Sequence, residues 1–196
     1  MEAAMTADRH AAGPGHRLTA VQTALVEIMP MKLLDEPLEY LFADHFRQRS
    51  VLSCLRKFAD TKEILPSYSS EIIGFLTHEL PLHHADEELD LFPAVRRRAK
   101  PEDAIEPVLE RLHEEHEASD AETMRIVGIL SESAASDNHV LGRKAVNMLK
   151  AFAVSVNRHL AIENSLVLAI ARVRLSAKDL TAISRGMKAR RGVAFT

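Results

Sequence analysis

Four long stretches with apolar side chains at helical spacing, separated by short polar or proline-marked breaks, dominate what this chain can fold into. The first covers residues 36–61, the second 67–99, the third 102–133, and the fourth opens at Asp137 or Asn138 and reaches about 173. Pro66 and Pro101 mark two of the breaks, because proline is accepted in the first turn of a helix and disruptive inside one. The acidic residues after Pro101 suit a helix N-terminus. Long amphipathic helices on short links bury their stripes against each other. The expected class is therefore all-α, an up-and-down antiparallel four-helix bundle. A hydrophobic content of 46%, only seven glycines and no tryptophan agree with helix over sheet.

Around this core the chain divides into four parts. Residues 1–17, small, polar and Gly/Pro-marked, read as a flexible tail, and 18–35 as a lead-in whose 18–29 portion is apolar. Residues 36–174 form the bundle. Residues 175–196 form a basic C-terminal helix and tail, opened by Ser176 and Asp179 at capping-box spacing. Pro81 lies inside the second stretch, where it removes a backbone donor and crowds the carbonyl four residues back, so a kink is expected there.

A formal charge of -3 and a pI near 6.4 give no overall electrostatic reason to bind nucleic acid or an acidic membrane. The first residues hold no apolar run of signal-peptide length, and 160–173 is interrupted by Glu163 and Arg172, short of a membrane span. Lone Cys54 has no internal disulfide partner, which points to a reducing cytoplasm. Oligomeric state is not encoded in any of these features.

Chemistry enters through a repeated spacing. His83 and Glu87 in the second stretch, and His159 and Glu163 in the fourth, each stand four residues apart. Four residues turn a helix through about 400°, so each pair projects from one face and can close on the same metal ion. Imidazole with carboxylate suits iron, manganese or zinc.

Phasing at about 100° per residue separates interior from surface histidines. His45 shares a face with Leu38, Leu41, Phe42, Leu52 and Ala59, with Cys54 on the opposite side. His83 and Glu87 align with Ile72, Leu76, Leu80 and Leu91, whereas His84 and Glu88 lie about 100° round. His116 falls with Ile105, Leu109, Leu112, Thr123, Val127 and Leu130; His113 is off centre, and Asp120, one turn on, is the candidate support for His116. His159 and Glu163 continue a stripe of Met148, Phe152, Val156, Leu166 and Ile170. His78, His84, His113 and His139 read as surface or outer-sphere groups, and His10 and His16 as tail. A single histidine on an apolar face is more often a hydrogen-bonded core residue than a ligand. Four histidines and two carboxylates pointing inward from four helices are different, since unpaired charge there is costly and a metal compensates it.

The run His83-His84-Ala85-Asp86-Glu87-Glu88-Leu89-Asp90-Leu91-Phe92-Pro93, with Asp44-His45, Glu115-His116 and His159-x3-Glu163-Asn164, resembles hemerythrin-like proteins of the HHE cation-binding family over about 36–174. The resemblance implies an up-and-down bundle around two non-haem iron ions, oxo- and carboxylate-bridged. His45, His83, His116 and His159 would be terminal ligands, and Glu87 and Glu163 bridges. This chain departs from the oxygen carriers of that family, which have two histidines one turn apart in the third helix and an aspartate in the fourth. Here the neighbours of His116 at those spacings are Asp120 and Leu112, and the fourth-helix carboxylate is Glu163. That pattern is similar to the regulatory and nitric-oxide-linked branch.

Two six-coordinate irons with these ligands and an oxo bridge keep two open positions, which suits NO, peroxide or reductive chemistry better than simple carriage. The expected function is binding or sensing of O₂, NO or peroxide, with redox turnover or iron delivery as associated activities and a redox or protein partner. No residue is assigned a catalytic role. The alternative is a regulatory or interaction bundle with a structural zinc or manganese, or no metal, whose basic 172–191 end docks an acidic partner.

Overall fold

A computed structural model describes residues 29–135 and 139–194. The expected tail and most of the lead-in lie outside the described residues, as do Asp137 and Asn138; the fourth long helix nonetheless opens later than expected, at Arg143 behind Gly142, because residues 139–141 run extended and bond residues 62–64 instead of starting a helix. A 3₁₀ turn, Met31–Asp35, leads into α1, Pro37–Thr61. Next come α2, residues 66–98, and α3, Glu106–Ala134. They are followed by α4, residues 143–174, and α5, Ala177–Arg190. Prolines stand in the first turns of α1, α2 and α3, where the missing N–H has no intrahelical acceptor to serve.

Antiparallel packing follows from which ends meet. The end of α1 pairs with the approach to α4 through Ile64 N–H to His139 O at 3.0 Å and Leu141 N–H to Lys62 O at 2.8 Å. The N-terminal residues Tyr68 and Ile72 of α2 share an apolar cluster with Ile126 and Leu130 near the end of α3. Conversely, Leu91 and Val95 of α2 cluster with Leu109 and Leu112 at the start of α3.

Helix α3 starts later than expected. Residues 101–103 form a separate 3₁₀ turn, and Ala104 adopts a left-handed conformation (φ 45°), so the helix begins only at Glu106. The Asp103 carboxylate makes this break, accepting the Lys100 N–H at 2.8 Å and two bonds from Arg174 at 2.7 and 2.8 Å.

The kink expected at Pro81 is a π turn placed upstream, at Phe75–Glu79, where Leu80 N–H reaches back five residues to Phe75 O. A second π turn, Glu87–Leu91, precedes Pro93 in the same way. Widening the preceding turn relieves the clash between a proline ring and the carbonyl four residues back. A third, Glu163–Val167, has no proline after it and begins at Glu163 itself. Its extra residue shifts the buried stripe: Val167, Leu168 and Ala171 are buried, while Leu166, placed on the stripe by simple phasing, is 42% exposed.

Cys54 is buried, not on an outer face as phasing suggests. It packs in a cluster with residues of α2, α3 and α4, so this part of α1 is covered over an arc wider than one stripe. Two apolar clusters fill the bundle. One holds Leu55, Phe58, Ile72, Ile126, Leu130 and Leu149; the other holds Leu34, Leu41, Phe92, Leu109, Val167 and Met187. A polar layer lies between them along every long helix, with His45, His83, Glu87, His116, His159 and Glu163 all buried.

The expected capping box opens α5: Asp179 N–H donates to Ser176 Oγ at 3.3 Å and Ser176 N–H to Asp179 Oδ2 at 3.0 Å. The basic end of the chain finds its acidic partner inside the molecule. Arg190 Nε and Arg191 Nη2 bond the fully buried Asp86 carboxylate at 2.8 and 2.7 Å, and Arg190 also pairs with Asp90. Arg172 bonds Glu39 and Arg174 bonds Asp103. Gly186 allows the close approach, since a Cβ there would collide with the Asp90 carboxylate. No helix among the described residues is long and apolar enough to cross a membrane.

Candidate metal centre

The structure brings all six expected residues into the polar layer, in two overlapping groups. His45, His83, Glu87 and Glu163 form one; Glu87, His116, His159 and Glu163 form the other, with candidate donor atoms inside each group within 4.8 Å of one another. Both carboxylates belong to both groups. His45 Nε2 lies 3.6 Å from Glu87 and 3.5 Å from Glu163, His83 Nε2 lies 3.4 Å from Glu87, and His116 Nε2 lies 3.4 and 3.7 Å from Glu87 and Glu163. His159 Nε2 lies 2.7 Å from Glu163.

Each histidine turns its other ring nitrogen to an outer partner. His45 Nδ1 bonds Asn164 Oδ1 at 2.9 Å, His83 Nδ1 sits 3.2 Å from Asp44 Oδ2, His116 Nδ1 bonds Glu88 Oε1 at 2.7 Å, and His159 Nδ1 bonds Glu115 Oε2 at 2.9 Å. With Nδ1 as the outward donor, Nε2 keeps its lone pair for the interior; such outer carboxylates fix ring orientation and raise ligand basicity.

The interior side is unsatisfied. Both carboxylate oxygens of Glu87, both of Glu163, and the Nε2 atoms of His45 and His83 are buried without a hydrogen-bond partner. Orphaned buried polar groups are rare in folded proteins and costly. Concentrated here, they fit a cation, and the nitrogen and carboxylate donor set suits a first-row metal.

Without metal, protons take the cation's place. Burial alone would lower the His83 pKa, but the charges of Glu87 and Asp44 outweigh it and raise it to about 9. Burial is likewise outweighed at His116, where the nearby Glu163 carboxylate and the bond to Glu88 raise the pKa to about 10, and at His159, raised by Glu163. Despite its burial, Glu163 is held well below the usual carboxylate range by His159, His116 and His45. Metal and protons compete for the same donors.

Residues 36–171 match the hemerythrin HHE cation-binding domain. This chain belongs to the hemerythrin HHE cation-binding family. A Haemophilus influenzae protein described as uncharacterized is 33% identical over 168 residues, covering 81% of this chain and 92% of that protein. Family membership and the two His/Glu groups together make this hemerythrin-family bundle a metal-ion-binding domain.

Around the centre of this hemerythrin-family domain, one expected support is replaced and the remaining histidines take outer positions. Asp120 is exposed and does not support His116; that role falls to Glu88, which also bonds the half-exposed His113 at 3.0 Å. Burial of Glu88 is outweighed by its bonds to His116 and His113, which lower its pKa; Glu115 is lowered in the same way by His159 and Arg111. His84 is an outer-sphere group, its ring stacked on His116 with centroids 4.2 Å apart. Burial and the neighbouring imidazoles push its pKa well below normal, so it stays neutral. His78 and His139 bond backbone carbonyls of Gly74 and Ser133 away from the centre, and His10 and His16 lie outside the described residues. The one sequence signal for the outer partners was their position beside candidate ligands, as in Asp44-His45 and Glu115-His116. The pairing is crossed, with Asp44 serving His83 and Glu115 serving His159.

A cavity of about 90 Å³ opens over the centre, lined by His83, His116 and His159 and by residues from all four long helices.

Proposed function

We propose that this chain is a cytoplasmic non-haem di-iron protein that binds or senses O₂, NO or a related reactive species, with redox turnover or iron delivery as associated activities. The observation that carries the reading is the sharing of Glu87 and Glu163 between both donor groups. Two carboxylates common to two sites are what a bridged pair of metals requires. His45 and His83 would hold one ion, and His116 and His159 the other. Bound iron would supply redox and ligand-binding chemistry, while the chain supplies orientation, charge balance and exclusion of water.

Ligand size follows from the cavity. A cavity of about 90 Å³ is smaller than the roughly 150 Å³ that holds a benzene ring, which suits a ligand of a few atoms at the centre. Structural zinc sites are closed and four-coordinate. A shared six-residue centre beneath an open cavity favours a reactive metal pair over structural zinc or manganese. The interaction-module alternative also loses much of its basic docking end, because Arg172, Arg174, Arg190 and Arg191 are paired within the chain.

Anaerobic purification after iron supplementation, followed by metal analysis and an optical spectrum, tests the proposal. Two irons per chain and oxo-bridge absorption on oxidation are expected. Less than one iron per chain with no such absorption overturns it.

A further inference from the structure

One buried donor on the cavity wall has no role in holding the centre. Four residues outside the six candidate ligands, Arg47, Gln48, Thr123 and Ser133, carry a buried polar side-chain atom without a partner among the described residues. Of these, Gln48 lines the cavity beside His83, His116 and His159. It is 3% exposed, and its amide nitrogen Nε2 is the unpartnered atom. Gln48 follows His45 by three residues on α1, which sets both side chains on one helix face and so brings the amide to the polar layer.

The cavity wall is graded. Ala118 and Glu122 on α3 are exposed, Ser119 and Ser155 are half-buried, and Gln48 is buried with the histidines. The exposed Ala118 and Glu122 mark the solvent side of the cavity, and Gln48 stands among its buried lining residues with the histidines. A neutral N–H donor at the inner end adds no charge to a site already balanced by histidines and carboxylates. It leaves an unmet hydrogen bond for whatever occupies the cavity. Such a donor gains most from an acceptor that carries negative charge.

We propose that the Gln48 amide is the hydrogen-bond donor to a small anionic ligand, or one that gains negative charge on binding, held at the open positions of the metal pair. The assignment rests on the di-iron reading above and narrows it, because Gln48 discriminates charge-accepting ligands from neutral ones. Gln48 is a specificity residue in this role and not a metal ligand.

The test uses the full chain as wild type and as Gln48→Met, which keeps the length of the side chain and removes the donor. Azide, a small anion, is titrated optically into the oxidised iron-loaded proteins, and NO into the reduced ones. Iron content and the melting temperature of the metal-free chains are measured in parallel. Expected are equal iron content, a metal-free melting temperature unchanged or raised because an unmet buried donor is gone, and azide affinity lower by about tenfold or more. NO affinity should change by less than azide affinity. Equal azide affinity at equal iron content overturns the assignment, as does loss of iron from Gln48→Met, which would make Gln48 a support of the centre. A wild-type chain that takes up iron but binds no azide overturns this inference alone; one that takes up no iron overturns the di-iron reading as well.

Discussion

Replacing Asp86 with Asn should loosen the hold of α5 on the bundle by an amount the structure bounds. The carboxylate is fully buried and accepts Arg190 Nε at 2.8 Å and Arg191 Nη1 and Nη2 at 3.0 and 2.7 Å. Breaking a buried ion pair by removing one partner costs about 3–5 kcal/mol, since the other charge is left uncompensated. Here both guanidinium groups keep a second partner, Arg190 with Asp90 and Arg191 with the Tyr40 hydroxyl at 3.1 Å, which favours the lower end, about 3 kcal/mol. For a chain of this size that corresponds to a fall of about 6–12 °C in melting temperature. Urea unfolding of the metal-free protein reads it directly. The double variant Asp86→Asn/Arg191→Met should lose less than the sum of the single losses, because the two groups interact. A single-variant loss below about 1 kcal/mol, or full additivity, would refute the claim that this carboxylate anchors α5.

Three other outcomes follow. Removing either outer carboxylate, as Glu88→Ala or Glu115→Ala, should weaken metal affinity by about 10–100-fold in a metal-competition titration, while Asp120→Ala leaves it unchanged. Gly186→Ala should cost about 1 kcal/mol in urea unfolding despite the better helix propensity of alanine, because its methyl displaces the Asp90 carboxylate from Arg190. Asp103 is held down to about 2 by Arg174 first and then by the Lys100 N–H. A depressed carboxyl pKa contributes stability that is present above the unfolded value near 4 and lost as pH falls through about 2. Asp103→Asn should therefore be less stable than wild type at pH 6, with the difference shrinking below pH 4 and mostly gone by about pH 2.

The six central residues were legible in the sequence because their signal is local. A four-residue spacing and an apolar stripe both survive translation into a helix, and His45, His83, Glu87, His116, His159 and Glu163 each lie where phasing sets them. Their outer partners were not legible. Glu88 with His116 and Glu115 with His159 are contacts between helices, and no period within one helix encodes them. Asp120 was a local guess for a role that a neighbouring helix fills. Leu166 failed because a π turn adds a residue between ligand and stripe, and nothing after Glu163 announces it as Pro81 and Pro93 mark theirs. Cys54 failed because phasing assumes one buried face, and α1 is covered more widely there. The missed start of α3 at Glu106 turns on a left-handed alanine, a conformation that a sequence of ordinary helix formers does not advertise.

The polar layer between the two apolar clusters has a bearing on how the molecule comes apart. Each cluster has its own interior, and in the metal-free chain the layer joining them holds orphaned groups in place of close-packed apolar contacts. Opening can therefore begin at the waist and leave the two ends as separate cooperative units. Metal bound there would tie all four long helices together at the level where the buried groups lack partners, so that amide exchange in both ends slows in concert on loading. The centre would then report the integrity of the whole fold as well as the arrival of a ligand.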